Sequence, residues 1–492
     1  MSSPSDLTGA EEKFFEARKK VFPRKVDGTF RRLKWVIMAV TLTIYYVTPW
    51  LRWDRGPYAP DQAVLIDLAN RRFYMFSIEI WPNEFYYVVG LLVMAAIGLF
   101  LVTSAVGRAW CGYACPQTVW TDLFVHVERL VEGDRNAQIR LDKAPWTAKK
   151  IGKRALKYAI WLYIAAATGG AWIWYFADAP TLFMDFIHGS APFAAYAAVG
   201  ILTFTTFTLG GFMREQVCIY MCPWPRIQGA MMDEKSLGVT YKYWRGEPRT
   251  HGLKRSHAQP LTDLANGEKV GDCIDCNACV AVCPTGIDIR EGPQIGCITC
   301  GLCIDACDEI MEKVGREPKL IGYATAADEA LIREGKPTVS AKKRLLRPRT
   351  LIYFLLWAGV GLGMLFVLGN RDRIGIDVLQ TRNPIWVRLA DGSIRNTYTV
   401  KIRNMEARPR TVEIRVDGID GVLWNEAGSR EQATRSVRLK VPADKVAKTQ
   451  IFVAAPGNGP KRTDVTFTVR ALDQDMASAT DQSFFERPEA NR

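Results

Sequence analysis

The sequence predicts a membrane protein with three kinds of structure: a bundle of five transmembrane helices, a cysteine-rich domain inserted before the last helix, and a C-terminal β-sandwich. Three observations lead to this fold class. Several apolar runs are long enough to cross a bilayer. Eight of the twelve cysteines lie between residues 273 and 307. After residue 370, short segments alternate apolar and polar residues, which is the period of half-buried strands.

Five segments have the length and composition of transmembrane helices, and the first of them is the shortest apolar run. They are Leu33–Trp50, Phe85–Val106, Leu156–Phe176, Pro192–Met213 and Leu351–Gly369. The last four contain a single charged residue between them, Lys157. Helices buried in a large soluble core are the alternative, which four such runs disfavour.

The distribution of lysine and arginine orients these spans, because short cytoplasmic loops carry an excess of both residues. Residues 1–32, 107–155 and 342–349 are rich in lysine and arginine, whereas residues 177–190 contain neither. We therefore expect a cytoplasmic N-terminus without a signal peptide, and an outer C-terminal domain. The expected domains are residues 1–32 (cytoplasmic segment), 33–213 (spans one to four), 214–350 (cytoplasmic loop), 351–369 (span five) and 370–492 (outer domain).

The clustered cysteines repeat one spacing twice: Cys273-x2-Cys276-x2-Cys279-x3-Cys283-Pro284 and Cys297-x2-Cys300-x2-Cys303-x3-Cys307. This is the ligand pattern of a bacterial ferredoxin with two [4Fe–4S] clusters, in which the fourth cysteine of each run binds the other cluster. We expect cluster 1 on Cys273, Cys276, Cys279 and Cys307, and cluster 2 on Cys297, Cys300, Cys303 and Cys283, in a domain over about residues 265–315. Zinc knuckles or disulfides are the alternatives, but zinc sites rarely repeat this spacing in tandem.

The four remaining cysteines form two copies of the pattern C-x-Y-x-C-P, at Cys111–Pro116 and Cys218–Pro223. Each copy follows a predicted span and a nearby arginine, Arg108 or Arg214. The i, i+4 spacing places both sulfurs on one face of a helical turn, and the proline fits a helix end. We expect the two turns to bring four thiolates together. Soft thiolates suit Cu(I), zinc or an iron–sulfur cluster, and packing thiols are the alternative.

Two other classes of site are disfavoured. The formal net charge is +13, but the basic residues follow the loops between spans and form no recognisable nucleic-acid module. A membrane haem needs two facing histidines, and the chain has four histidines in all. His126 and His188 are expected in loops on opposite sides of the membrane. We therefore expect neither a nucleic-acid partner nor a haem.

Four stretches resemble the CcoG/FixG/RdxA family of cytochrome c oxidase accessory proteins: Cys111–Asp122, Glu128–Asn136, Arg214–Gly229 and Arg245–Arg249. The resemblance runs over nearly the whole chain. It implies a five-span protein of the bacterial inner membrane, with a cytoplasmic two-cluster ferredoxin domain and a periplasmic immunoglobulin-like β-sandwich. One local departure from the simplest ferredoxin pattern is that Asp308, not proline, follows Cys307.

The resemblance also implies a function: reduction of Cu(II) to Cu(I) for assembly of a cbb3-type cytochrome c oxidase. The proposed copper-handling thiols of the family correspond to Cys111, Cys115, Cys218 and Cys222. We expect electrons to pass from one cluster to the other and then to copper at these thiols. The expected partners are oxidase assembly factors and a copper P-type ATPase or copper chaperone. The sequence identifies no electron donor and leaves a homodimer open.

Three alternatives remain at this stage. The chain could be a quinol-oxidising membrane ferredoxin that feeds a periplasmic reductase. It could be a non-catalytic assembly scaffold in which the clusters are structural. In a third alternative, the cysteines of the two C-x-Y-x-C-P copies hold a third [4Fe–4S] cluster instead of copper.

Overall fold

The computed structural model of the protein describes residues 20–249, 271–334, 336, 346–473 and 476–488. These residues belong to two compact units. The described residues of the first unit come from Met1–Trp50, Val64–Phe73 and Ile80–Gly361, and those of the second from Leu51–Ala63, Tyr74–Glu79 and Leu362–Arg492. The first unit contains all twelve cysteines, and the second contains the C-terminal strands.

The α-helices of the described residues are α1 (Thr29–Val47), α2 (Tyr86–Val106), α3 (Pro116–Glu132), α4 (Arg135–Lys143), α5 (Ala148–Ile173), α6 (Ala179–His188), α7 (Phe193–Thr206), α8 (Trp224–Met231), α9 (Tyr243–Gly246), α10 (Ala278–Val282), α11 (Leu302–Lys313), α12 (Ala326–Arg333) and α13 (Pro348–Gly369). Wider π-helical turns follow α2 and α7, at Trp110–Ala114, Phe207–Met213 and Val217–Met221. Three short strands, β1 (Val64–Asp67), β2 (Arg72–Met75) and β3 (Ile78–Ile80), lie between α1 and α2 in sequence.

Three helical segments in the described part of the chain are long and apolar enough to cross a membrane: Pro82–Val106, Phe193–Met213 and Pro348–Gly369. Their apolar side chains point outward. Leu92, Phe204 and Phe366 are 66%, 69% and 72% exposed. Water would strongly disfavour so much exposed apolar surface, whereas lipid accommodates it. These helices have the character expected of a membrane protein.

The other two predicted spans coincide with α1 and α5, and each of these helices has a charged residue that is buried in an ion pair. Arg31 of α1 lies 2.9 Å from Asp122 of α3. Lys157 of α5 lies 3.1 Å from Glu132, at the end of α3. Charges near the ends of a membrane helix are tolerated when they pair inside the bundle. The presence of both helices is therefore established, and their crossing of the membrane stays a prediction.

The cysteine-rich region folds around a two-stranded antiparallel sheet of β4 (Gly238–Tyr241) and β5 (Ile321–Ala324). These strands lie outside the 265–315 range expected from the cysteine spacing. Val239 and Ile321 pack with Met311 of α11 and with the cluster cysteines in one buried core. The sheet therefore closes the module by bringing together residues on both sides of the cysteine runs.

The segment before α1 also contacts the ferredoxin module. Asp305 of α11 accepts hydrogen bonds from the backbone N–H of Phe30 at 3.2 Å and of Arg31 at 2.8 Å. Because the first N–H groups of a helix have no partner within that helix, a carboxylate at this position caps α1. The start of α1 and the cysteine module are thus held together by one side chain.

The C-terminal region forms two antiparallel sheets with a shared apolar core, as expected for a β-sandwich. One sheet has the order β10-β12-β8-β6 with β7 beside β8, and the other has the order β11-β9-β13-β14. The strands are β6 (Ile374–Gln380), β7 (Trp386–Arg388), β8 (Ile394–Asn404), β9 (Arg410–Asp417), β10 (Val422–Asn425), β11 (Ser436–Val441), β12 (Lys445–Ala455), β13 (Arg462–Ala471) and β14 (Ser478–Glu486). Alternating residues of β8 face the core, and Tyr398 and Phe467 pack there with ring centroids 4.8 Å apart.

We expect Phe467→Ala to destabilise this sandwich, because Phe467 is completely buried and its removal leaves a cavity. The expected loss is about 3–5 kcal/mol. Proteolysis of the C-terminal domain in the detergent-solubilised full chain should accelerate by more than about 100-fold, since cleavage follows the population of the open state. Phe484→Ala is the matched control, because Phe484 is 39% exposed. Equal protease resistance of the two variants would contradict this packing.

Candidate iron–sulfur and thiol site

The two cysteine runs fold with the same backbone repeat. In the first run, φ is positive at Asp275 (50°) and Asn277 (55°), on either side of Cys276. In the second run, φ is positive at Thr299 (57°) and Gly301 (72°), on either side of Cys300. Successive residues of alternating hand turn their N–H groups into one concavity, an arrangement found at many iron–sulfur sites. The internal repeat seen in the sequence is therefore also a repeat of conformation.

The structure brings the eight ferredoxin cysteines into the two sets expected from their spacing. One cavity is lined by Cys273, Cys276, Cys279 and Cys307. A second cavity is lined by Cys283, Cys297, Cys300 and Cys303, and Cys279 lines both cavities. The fourth cysteine of each run thus crosses to the other set. Which cysteine binds which iron stays a prediction.

The chemistry of these sets fits iron–sulfur clusters better than the alternatives. All twelve cysteines are free of disulfides. Among the described residues, no group of three His, Cys, Asp or Glu side chains is arranged to hold a single metal ion, and this applies to the two cluster sets and to the four remaining cysteines alike. A cubane, by contrast, receives each thiolate at a separate iron corner. The cysteines of the two expected sets, which line these cavities, are the residues that would hold such clusters.

Burial keeps these thiols protonated when no metal is bound. It raises the pKa of Cys279, Cys300 and Cys307 to about 12. Backbone N–H groups act in the opposite direction, since those of Val280 and Leu302 lower the pKa of Cys279 and Cys300. A metal binds the thiolate, so cluster binding must release protons from this buried site.

The two C-x-Y-x-C-P copies fold alike, but not as simple α-helical turns. Cys111 and Cys218 lie in π-helical turns, and Cys115 and Cys222 are extended, with ψ of 128° and 121°. A proline excludes the helical conformation from the residue before it. Pro116 therefore ends the π turn at Cys115 and also begins α3, where its missing N–H costs nothing. The sequence pattern predicted only the first of these two roles.

The four cysteines of these turns interact with one another. Burial raises the pKa of Cys111 to about 12, Arg108 lowers it, and Cys115, Cys218 and Cys222 raise it further. Burial likewise raises the pKa of Cys218 to about 11, with further increases from Cys115 and Cys222. We call Cys111, Cys115, Cys218 and Cys222 together the thiol site.

The thiol site is in direct contact with the loop that carries Cys300. The hydroxyl of Tyr113 donates a hydrogen bond to the Cys300 carbonyl at 2.9 Å. Gly112 lies so close that a Cβ there would be 2.6 Å from the carbonyl oxygen of Ile298. Only glycine permits this approach of two backbones. The thiol site and the second cluster set therefore share one packed region.

Sequence reasoning missed two residues of this site. Tyr113 carried a usable signal, because tyrosine recurs at the same position of both hexapeptides. Gln228 carried none. It is fully buried on α8, its Oε1 accepts a hydrogen bond from Cys111 Sγ at 3.1 Å, and its Nε2 donates to Thr103 at 3.1 Å. Gln228 thus links α8, which follows the second C-x-Y-x-C-P copy, to a cysteine of the first copy.

The histidines lie outside the thiol site. His126 and His188, expected in loops, belong to α3 and to the end of α6. Both helices lie between predicted spans, α3 after the second and α6 after the third, so the placement of the two histidines on opposite sides of the membrane stays a prediction. His126 packs edge-on against Trp35 at 4.8 Å, which is the contact of a packing residue.

Three family models match the chain. A 4Fe-4S dicluster domain matches residues 213–326, and a 4Fe-4S binding domain matches residues 88–133. The immunoglobulin-like fold at the C-terminus of FixG, described as a putative oxidoreductase, matches residues 364–488. Among solved structures, the FixG-related protein from Vibrio parahaemolyticus aligns over 24% of this chain and 98% of its own, with 18% identity and a TM-score of 0.20.

Relatives at high identity extend over almost the whole chain. The nitrogen fixation protein FixG of Rhizobium meliloti is 55% identical and covers 93% of this chain and 91% of its own length. The proteins RdxA and RdxB of Cereibacter sphaeroides are each 53% identical and cover 91% and 96% of this chain, and 92% and 96% of their own lengths. With the cysteine sets and the iron–sulfur domain matches, these relatives show that the chain belongs to the FixG/RdxA family of iron–sulfur electron-transfer proteins.

Proposed function

We propose that the protein is a membrane-bound cupric reductase, which delivers electrons through its ferredoxin module to copper at the thiol site and so supplies Cu(I) for assembly of a cbb3-type cytochrome c oxidase. One observation carries the proposal: the thiol site touches the Cys300 loop through Tyr113 and Gly112. A protein that reduces a bound metal needs its metal-binding thiols beside the cluster that donates the electron.

The ferredoxin module provides the electrons. Clusters held by its two cysteine sets supply one-electron transfer. Cys276 is exposed at the surface of the first set, so a donor reaches the module there. Cys300 is buried on the side of Gly112. The chain thus offers an entry at Cys276 and an exit at the Cys300 loop.

The thiol site provides the acceptor. Cu(II) is the substrate, and one electron converts it to Cu(I). Thiolates are soft ligands that prefer Cu(I), so the four cysteines favour the reduced ion. Because burial keeps Cys111 and Cys218 protonated, copper binding displaces protons from them. The released Cu(I) would pass to a copper P-type ATPase or a copper chaperone, and oxidase assembly factors would receive it.

Contacts within each unit support the proposed topology of five spans, with the ferredoxin module inside and the C-terminal domain in the periplasm. α1 begins at the ferredoxin module, where Asp305 caps it. The segment after α1 folds with the C-terminal domain, and a Cβ on Gly56 would be 3.7 Å from the Cβ of Ala407. The 19 residues of α1 span about 28 Å, close to the roughly 30 Å hydrocarbon core.

We expect serine at all four thiol-site positions to abolish copper reduction and leave the ferredoxin module intact. The purified protein, reduced anaerobically, should reduce Cu(II), as detected with a Cu(I) chelator. The variant should lose at least 90% of this rate and keep about eight irons per chain. Tyr220→Phe is the control within the second C-x-Y-x-C-P copy, since Tyr220 is 67% exposed. Copper reduction at the normal rate in the four-serine variant would refute the role of these thiols.

A third cluster at the thiol site is the competing function, because a 4Fe-4S binding model covers residues 88–133, which include Cys111 and Cys115. Counting iron and acid-labile sulfide separates the two. Copper handling predicts about eight irons per chain, and a third cluster predicts about twelve. Cluster reduction by a quinol in the absence of copper would instead support a quinol-oxidising ferredoxin.

Gly112→Ala tests whether contact with the Cys300 loop is the electron path. The added methyl group would clash with the Ile298 carbonyl and push the two backbones apart, at a cost of about 1–3 kcal/mol. We expect unchanged iron and copper content, with copper reduction slowed at least tenfold. Gly229→Ala is the matched control, since no atom lies within 4 Å of a Cβ there. Equal copper reduction rates for both variants would place the electron path elsewhere.

A further inference from the structure

Arg108 is a buried cation at the junction of the thiol site and the second cluster set. It follows α2 and precedes Cys111, and only 5% of it is exposed. Its Nη1 donates to the Ile295 carbonyl at 2.9 Å. Its Nε and Nη2 are buried without a hydrogen-bond partner. Among the described residues, no aspartate or glutamate forms an ion pair with it.

The positive charge of Arg108 acts on both groups of cysteines. It lowers the pKa of Cys111 and Cys218, in the thiol site, against the stronger effect of burial. It also lowers the pKa of Cys297, in the second cluster set, where burial again dominates. The hydrogen bond to Ile295, two residues before Cys297, shows the same proximity in geometry. Arg108 therefore lies close to both ligand sets.

An unpaired buried guanidinium is costly unless negative charge lies nearby. Protonated thiols do not provide that charge, whereas thiolates bound to metal do. In the first cluster set, by contrast, the cation near the cysteines is paired with carboxylates. Arg290, whose charge acts on Cys279, is paired with Asp288 at 2.6 Å and with Asp275 at 2.5 Å. One cation and two carboxylates leave a net charge of −1 there, whereas Arg108 contributes an uncompensated +1.

Lys34 does not replace Arg108 in this role. Its charge also acts on Cys300, and it is buried in α1. Asp122 lies 3.9 Å from Lys34, and the same carboxylate is shared with Arg31 at 2.9 Å. The negative charge of Asp122 thus offsets part of the positive charge around Lys34. Arg108 has no such partner.

We propose that Arg108 raises the reduction potential of the cluster bound by Cys283, Cys297, Cys300 and Cys303, and thereby directs electrons away from the exposed cluster and toward the thiol site. Reduction adds one electron and breaks no bond, so the added negative charge is what Arg108 stabilises. Water at Cys276 stabilises the reduced state of the exposed cluster. The unpaired charge of Arg108 offsets that advantage. The inference rests on the two cluster sets of the proposed function, but not on copper.

The test is an anaerobic redox titration of the full-length protein in detergent, without copper, with each cluster followed by electron paramagnetic resonance. Arg108→Gln should lower the midpoint potential of one cluster by at least about 59 mV, which corresponds to a tenfold fall in its one-electron equilibrium constant. The other cluster should keep its midpoint. The loss of the shifted signal in a Cys303→Ser variant identifies it as cluster 2. Arg226→Gln is the control, because Arg226 is exposed.

Unchanged midpoints in Arg108→Gln protein with full iron content would overturn the proposal. Arg108→Lys keeps the charge and should stay within about threefold of the original equilibrium constant. Arg108→Lys also tests the proposal if the Arg108→Gln protein fails to assemble its clusters. A tenfold fall in the one-electron equilibrium constant of cluster 2 in Arg108→Lys would show that the charge is not responsible. A shifted potential in protein that does not reduce copper would support Arg108 and refute only the cupric reductase function.

Discussion

The close approach of the Gly112 turn to the Ile298–Cys300 loop is the contact on which the rest of the first unit depends. A backbone that carries cysteines at a membrane helix end meets a backbone that carries cluster cysteines, with no side chain between them. The hydrogen bond from Tyr113 fixes the orientation of the two segments. Tyr323 also fixes the Ile298–Cys300 loop, because its hydroxyl donates a hydrogen bond to the Thr299 carbonyl at 2.6 Å. Electron transfer falls off steeply with distance, so this packing decides whether the two ligand sets work as one chain.

Buried ion pairs fix the helices around that contact. Glu128 of α3 lies 2.8 Å from Arg214, which precedes the second C-x-Y-x-C-P copy, and 3.2 Å from Lys157 of α5. Burial favours the neutral form of Glu128, but the charge and hydrogen bond of Arg214, with Lys157, lower its pKa. Such pairs add little net stability, yet loss of one partner leaves a buried charge. Their effect is to specify how α3, α5 and the second cysteine turn meet.

The parts of the structure that could be predicted from sequence are those with a strict period or spacing. The cysteine runs, the apolar spans of α2, α7 and α13, and the alternating strands β8, β9, β11, β12 and β13 belong to this class. Strands β6, β7, β10 and β14 do not follow from this alternation, since β7 and β10 are short and the others alternate weakly or adjoin an apolar run. Gln228 and Arg108 could not be assigned roles, because their partners are set by tertiary packing across more than 100 residues of sequence.

The cap that Asp305 places on the start of α1 has a consequence for the order of assembly. Residues 30 and 31 leave the ribosome long before residue 305, so the N–H groups of this helix end have no carboxylate partner while the residues in between are being synthesised. The cysteine module is complete only when α11 has been synthesised. Docking of the module against the first turn of α1 therefore comes only after the synthesis of α11.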